Sequence, residues 1–223
     1  MFNKTKTKSA FTLAEVLITL VVIGVVAALT IPTAISKYKE KEKQAKVKKA
    51  YSTIANAMTR VKASGGDYVF TVTAGNDMNV MKDWFNTYLR PYLSISKVCY
   101  DSPGCWNSGT KNMDGSQVGI GRGAACINFI LNDGTTIGID DFDSSTIWDR
   151  WGVRISPGVS MAIYFDINGG KGPNVVGEDV FVAIFANDVG VKPAYIDKTQ
   201  SEREQDCSPT GTGASCILKY LQY

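Results

Sequence analysis

The sequence contains no histidine. That absence removes His-based catalytic triads, His metal ligands and the usual titration near neutral pH in one step. Among its five cysteines, Cys99, Cys105, Cys126, Cys207 and Cys216, no two form a Cys-x-x-Cys pair. A zinc knuckle and a thioredoxin-like motif are therefore not expected. No glycine loop fits a Walker or dinucleotide fingerprint; GIGRGAAC has glycines and Arg122 but lacks the spacing. Excess charge of one sign is missing too. The net charge is +3 over 223 residues, too little to argue for nucleic acid. What remains is the composition of a globular chain, long enough for one domain with a real core plus an extra element. No internal repeat, low-complexity tract or second globular domain is evident.

The cysteines that are present fall in local pairs. Cys99 and Cys105 flank CYDSPGC, and Cys207 and Cys216 flank CSPTGTGASC. Short Gly/Pro-containing loops bounded by two cysteines point to local disulfides and so to an oxidising compartment. Cys126 lies in the apolar run AACINFIL and reads as a buried core thiol.

The chain opens on a long apolar run. In KSAFTLAEVLITLVVIGVVAALTIP, Lys8 to Pro32, the span from Phe11 to Ile31 holds a single charge, Glu15. Such a run is long enough to cross a bilayer as a helix. A removable secretory signal, a membrane anchor and a buried core helix all have to be weighed. A core helix of a globular protein should show a polar face, and this run has none. The basic start (Lys4, Lys6, Lys8) and the small residues Ala27 and Ala28 fit a secretory signal. A discarded signal has no use for Glu15, since an acidic residue mid-helix costs about 3 kcal/mol on insertion, less near an end.

Ala10 directly before FTLAEVLITLVVIGVVAALTIP, with Lys8 upstream, resembles the leader and N-terminal helix of type IV pilins and type II secretion pseudopilins. The resemblance implies a membrane peptidase that cuts on the cytoplasmic side, between Ala10 and Phe11, and methylates the new N-terminus at Phe11. Glu15 then becomes the fifth residue, where the family has its glutamate, and Gly24 and Pro32 fall where such helices are loosened. The chain departs from the family at Ala10, where glycine is usual; the change bears on the rate of cutting.

Physical chemistry gives Glu15 a role within that resemblance. Cutting before Phe11 makes an amine that is cationic near neutral pH. In an apolar filament core, a Glu15 carboxylate paired with the Phe11 amine of a neighbour, or of its own chain, is far less costly than one left alone. The pair would mark one stagger of helices. The competing reading is a carboxylate that snorkels to the headgroups without a partner. Pro32 removes a helical N–H and Gly24 weakens the helix, so a kink or local unwinding is expected there.

Beyond the run, SKYKEKEKQAKVKK is polar nearly all round, a solvated neck with Glu42 and Lys46 in a favourable i,i+4 pair. Val47, Tyr51, Ile54, Met58 and Val61 then form one apolar helical stripe ending at Ser64-Gly65-Gly66. Lysines are more numerous after the span than before it, which by itself favours a cytoplasmic domain. The cysteine pairs and the leader point the other way and are given more weight.

The remainder reads as α+β. MKDWFNTYLRPYL, Met81 to Leu93, has aromatics at helical spacing. Ala125 to Asp140 reads as a hairpin around Asn132-Asp133-Gly134. Ser160 to Ile167 and Val180 to Asn187 read as strands. The expectation is an antiparallel sheet laid on the amphipathic helix. The polar segment after Asn187, through Cys216, reads as a surface loop. IDDFD, with Asp140, Asp141 and Asp143, reads as a solvated acidic loop.

FDINGGKGPNVVGED offers Asp166, Asn168, Asn174, Glu178 and Asp179 as oxygen donors among glycines, the hard ligands calcium favours. The spacing is not that of an EF-hand. Similar loops occur near the C-terminal ends of pseudopilin-like proteins, and some major pseudopilins hold structural calcium in a C-terminal loop. The competing reading is a turn-rich connection using Asn and Asp for backbone geometry.

The organisation expected is a leader at 1–10, a transmembrane helix at 11–35, a neck and amphipathic helix at 36–64, and an extracytoplasmic domain at 65–223. The resemblance implies a structural subunit rather than an enzyme, with no cofactor beyond calcium. It would be held by a single pass in the bacterial inner membrane and then built into a cell-surface or periplasmic filament. Its partners would be copies of itself, other pilin-like subunits, the prepilin peptidase, an inner-membrane assembly platform and lipid, and not nucleic acid. A membrane-anchored, calcium-dependent binding module that never polymerises is the alternative of another class. A membrane-tethered carboxylate hydrolase is the weakest.

Overall fold

A computed structural model describes residues 11–66, 78–100, 104–106, 109–119, 126–157 and 159–222. The leader at 1–10, with Ala10, and the GIGRGAAC arginine, Arg122, lie outside the described residues. The chain divides into two compact units, Met1–Glu42 and Lys43–Tyr223. Helix α1 (Leu13–Ala63) contributes to both.

In the first unit α1 carries its apolar side chains fully outward; Leu17, Val21, Ile23 and Leu29 are all exposed. This stretch is long and apolar enough to cross a membrane, with a mean hydropathy of 2.6 over its best window. Two hydroxyls along it are absorbed by the backbone: Thr19 Oγ1 donates to Val16 O and Thr30 Oγ1 to Val26 O, each at 2.9 Å. The helix runs through Pro32 without an assigned break.

In the second unit the expected stripe is present. Val47, Ile54, Met58 and Val61 are buried, with Ala50 and Ala57 completing the face, and Tyr51 is half-buried with its hydroxyl donating to Val191 O. The helix stops where the glycines predict. Gly65 takes φ +75°, and the Gly66 and Gly65 N–H groups bond Val61 O and Lys62 O, a Schellman ending that needs a left-handed residue.

Six strands form a single antiparallel meander: β1 (Ile95–Tyr100), β2 (Ile127–Leu131), β3 (Thr136–Asp143), β4 (Val159–Asp166), β5 (Val180–Ala186) and β6 (Gly190–Pro193). The β2–β3 hairpin turns at Asn132-Asp133-Gly134 as expected, with Ile130 opposite Thr136 and Gly134 at φ +86°. Every residue of β5 is buried, so the sheet is covered on both faces. On one face Phe85 packs on Phe129 and Tyr220 on Phe181, with ring centroids 5.2 and 5.3 Å apart. On the other, Tyr164 meets Trp106 and Trp151 at 6.4 and 6.2 Å. Ion pairing of Lys49 with Asp133 (2.7 Å) and donation by Lys62 to Asn187 O tie the 43–63 half of α1 to two sheet turns.

Three expectations are corrected. The Met81–Leu93 helix is broken up: α2 (Met78–Trp84) opens into a π-helical turn, Phe85–Leu89, and a 3-10 turn, Arg90–Tyr92. Pro91 has no N–H with which to continue an α ladder, and Arg90 N–H reaches back five residues to Phe85 O. Trp84, Phe85 and Leu89 are core, while Tyr92 is exposed. The acidic stretch is not a solvated loop. Asp140, Asp141 and Asp143 sit on β3, and Asp143 caps α3 (Ser144–Trp151) by accepting from Thr146 N at 2.8 Å. The segment after Asn187 is structured: it forms β6, then α4 (Gln200–Asp206) and α5 (Cys216–Leu221).

Candidate functional site

Phe11 is 86% exposed and precedes a cap built from two residues. Thr12 N–H and Thr12 Oγ1 donate to Glu15 Oε2 at 2.8 and 2.9 Å, and Glu15 N–H donates to Thr12 Oγ1 at 3.2 Å. This is a capping box, in which two otherwise orphaned donors at a helix start are satisfied reciprocally. The Thr-x-x-Glu signature is legible in FTLAE, yet Thr12 is absent from the residues singled out by sequence reasoning. The carboxylate is thereby held on Thr12 at the start of α1, and Thr12 directly follows Phe11, the residue that would carry a new amine after cutting. A Cβ added at Gly24 would stand in open space, with nothing beyond its own helical turn within 4 Å.

The second set of sequence-predicted residues lies on the β4–β5 connection. Asp166 and Asp179 are buried, at 2% and 3% exposure. Asp179 braces the loop: its carboxylate accepts from Asn174 N (2.8 Å), Val175 N (2.7 Å) and Asn168 Nδ2 (3.0 Å). Asp166 accepts from Asn168 N at 3.1 Å. Burial pushes the Asp166 carboxyl up to about 7, and the neighbouring Asp179 carboxylate adds to the rise. Asn168 Oδ1 and Asn174 Oδ1 are buried with no hydrogen-bond donor among the described residues. Asn174 is held at φ +56°. Glu178 is exposed and does not join the group.

The structure therefore brings Asp166, Asn168, Asn174 and Asp179 together and leaves Glu178 out. Two orphaned amide oxygens beside two carboxylates are the hard donor set calcium takes. Among the described residues no three His, Cys, Asp or Glu side chains converge on one point, so a cation here would lean on the asparagine and backbone oxygens.

Both cysteine pairs are bonded, Cys99 to Cys105 and Cys207 to Cys216. Cys126 is buried outside both bonds, its thiol 3.6 Å from Asn128 Oδ1. The Cys207–Cys216 segment wraps around buried Asp206, which takes hydrogen bonds from Thr212 N, Thr212 Oγ1 and Ser215 N. Gly177, at φ +88° in the β4–β5 connection, backs directly onto it: an added Cβ would stand 2.8 Å from Gly213 O and 3.0 Å from Cys216 Sγ. Sequence reasoning missed Asp206, and no local signal marks it.

Comparison with known proteins adds one match. Residues 5–31 match the model of the prokaryotic N-terminal methylation motif. No curated protein and no solved structure matches the chain at a significant level. The matched stretch holds Ala10, Phe11, Glu15 and Gly24, and it ends one residue before Pro32. An apolar N-terminal helix behind such a motif points to membrane anchoring. With that motif, the long apolar helix and the six-stranded antiparallel sheet, the chain carries a prepilin-type N-terminus on an α+β, pilin-like architecture.

Proposed function

We propose that the protein is a structural subunit, a pilin or pseudopilin, of a type IV pilus or type II secretion filament. Prepilin peptidase cuts it before Phe11 and methylates that residue; the chain is the substrate of an enzyme, not an enzyme. It waits in the bacterial inner membrane on a single pass, with the 65–223 domain outside the cytoplasm, and is then drawn into the filament through its apolar helix. The methylation motif over residues 5–31 carries this reading, and the two disulfides favour an oxidising side for the domain. Glu15→Ala tests it. The variant should be cut and should fold normally yet fail to enter filaments. Normal incorporation would remove the register role of Glu15.

The buried oxygens of the β4–β5 connection favour a second element of the same reading: calcium held by Asp166, Asn168 and Asn174, with Asp179 bracing the loop. Calorimetry of the parent beside Asp166→Ala tests it. Heat from calcium binding in the parent and none in the variant is expected; equal responses would remove the idea.

A further inference from the structure

A cavity of about 490 Å³ opens on the Tyr164 face of the sheet, between β3, α3 and the stretches around 112–119 and 212–214. That size suits a small ligand. Phe142, Trp151 and Tyr164 line it and are wired edge to face: the Phe142–Trp151 centroids lie 4.9 Å apart and the Trp151–Tyr164 centroids 6.2 Å. Asp140 lines it from the middle of β3, on the same sheet face as Tyr164 and Phe142, and Asp149 stands exposed on α3. Tyr195 closes another side from a backbone held at φ +63°, a costly conformation for a tyrosine and one that concentrates at binding sites.

Among the described residues the charges in the lining are two carboxylates, Asp140 and Asp149, and one guanidinium, Arg150. Arg150 is exposed and lies 5.6 and 5.9 Å from the Phe142 and Trp151 centroids. Phe142 and Trp151 thus already accept a guanidinium, and the Asp140 carboxyl lines the same cavity. Burial first, and then the Asp141 carboxylate, push Asp140 up to about 7, with Arg150 pulling the other way. A neutral sugar stacked on the rings would give that carboxyl no charge partner. A cation gains from the ring faces and from the carboxylate together.

We propose that this pocket binds a small organic cation, an ammonium or guanidinium group, with Asp140 as its counter-ion and Phe142, Trp151 and Tyr164 as its walls. The assignment does not depend on filament assembly. The cation comes either from a free small molecule or from a lysine or arginine side chain of a peptide.

The test is tryptophan fluorescence of the full-length protein in detergent micelles, titrated with methylguanidinium, with ethylammonium and with the tripeptide Gly-Arg-Gly. Saturable quenching is expected, lost by about tenfold or more in Asp140→Asn. Phe142→Leu, at the half-buried rim, should weaken binding as well and carries the test if Asp140→Asn does not fold. Tighter binding of the tripeptide than of methylguanidinium assigns the source to a peptide side chain; the reverse order assigns it to a small molecule. Binding should strengthen from about pH 6 to about pH 8 as Asp140 ionises. Among the described residues the other titratable or charged groups near it are Cys126 just before β2, Asp141 on β3, Asp149 and Arg150 on α3, Tyr164 on β4 and Tyr195 after β6. The two tyrosines are raised, Tyr195 to about 12 and Tyr164 well above its ordinary value, so neither titrates in that window. Any of four results would overturn the assignment: no saturable change in folded parent protein, undiminished binding by Asp140→Asn, saturation by maltose but not by the cations, or cation binding only after Arg150→Ala.

Discussion

Thr12 and Glu15 hold each other at the start of α1, the threonine hydroxyl accepting from the Glu15 amide while donating to the Glu15 carboxylate. The glutamate is thus oriented within its own chain before it meets any amine. Thr12→Val keeps the shape and removes the hydroxyl, which at an N-cap costs about 1 kcal/mol. The Glu15 amide should then exchange its hydrogen several-fold faster, and Thr12→Ser should restore the slow rate. Unchanged exchange in Thr12→Val would mean that the cap does not form in the membrane.

Asp179 should matter more to stability than any other residue of its loop. Its carboxylate takes three N–H groups, and removing an acceptor leaves each buried donor unsatisfied at about 1–3 kcal/mol. Asp179→Ala should lower the melting temperature strongly. Glu178→Ala, on an exposed side chain, should leave it within error. A mild Asp179→Ala phenotype would show that the loop is held elsewhere.

The Cys207–Cys216 bond closes a short loop. Loop entropy gives it about 2–3 kcal/mol. The double serine variant should show a lower denaturation midpoint, with local opening of the 207–216 segment preceding global unfolding. Coincident loss of that segment and of β5 would mean that the loop is no separate unit.

Stability should fall as pH rises through neutrality. Asp140 and Asp166 are both pushed up to about 7 in the folded chain, against about 3.9 when unfolded. The folded state therefore binds more protons between those values, and the stabilisation is complete below about pH 4 and gone above about 7. Asp143, drawn down to about 2 by Ser145 and Thr146, acts in the opposite sense but only as pH falls below about 4. In calcium-free buffer, thermal melts should show a falling midpoint from about pH 5 to about pH 8, flattened in Asp140→Asn and Asp166→Asn. A rising midpoint in the parent would contradict the burial of these two groups.

What the sequence reveals of this fold is what depends on near neighbours. The α1 stripe from Val47 to Val61 repeats at helical spacing, the Asn132-Asp133-Gly134 turn is its own signature, and each cysteine pair brackets its own loop. Helix α4 was legible in principle through Thr199 and Glu202, a full capping box hidden in a polar stretch that composition alone reads as loop. The burial of Asp140 was not legible. It depends on Trp151 and on the 112–119 and 212–214 stretches folding over β3, contacts between residues far apart in sequence. Nor was the bracing role of Asp179, since spacing marks it as an oxygen donor without saying that backbone N–H groups take its oxygens.

The central claim is that this chain is processed as a prepilin, and the mass of its mature N-terminus tests that most directly. N-terminal peptides from the membrane fraction of cells carrying a prepilin peptidase should begin at Phe11 with one added methyl group, and that form should disappear when the peptidase is deleted. An intact Met1, or a mature chain beginning near Ala28, would contradict the account.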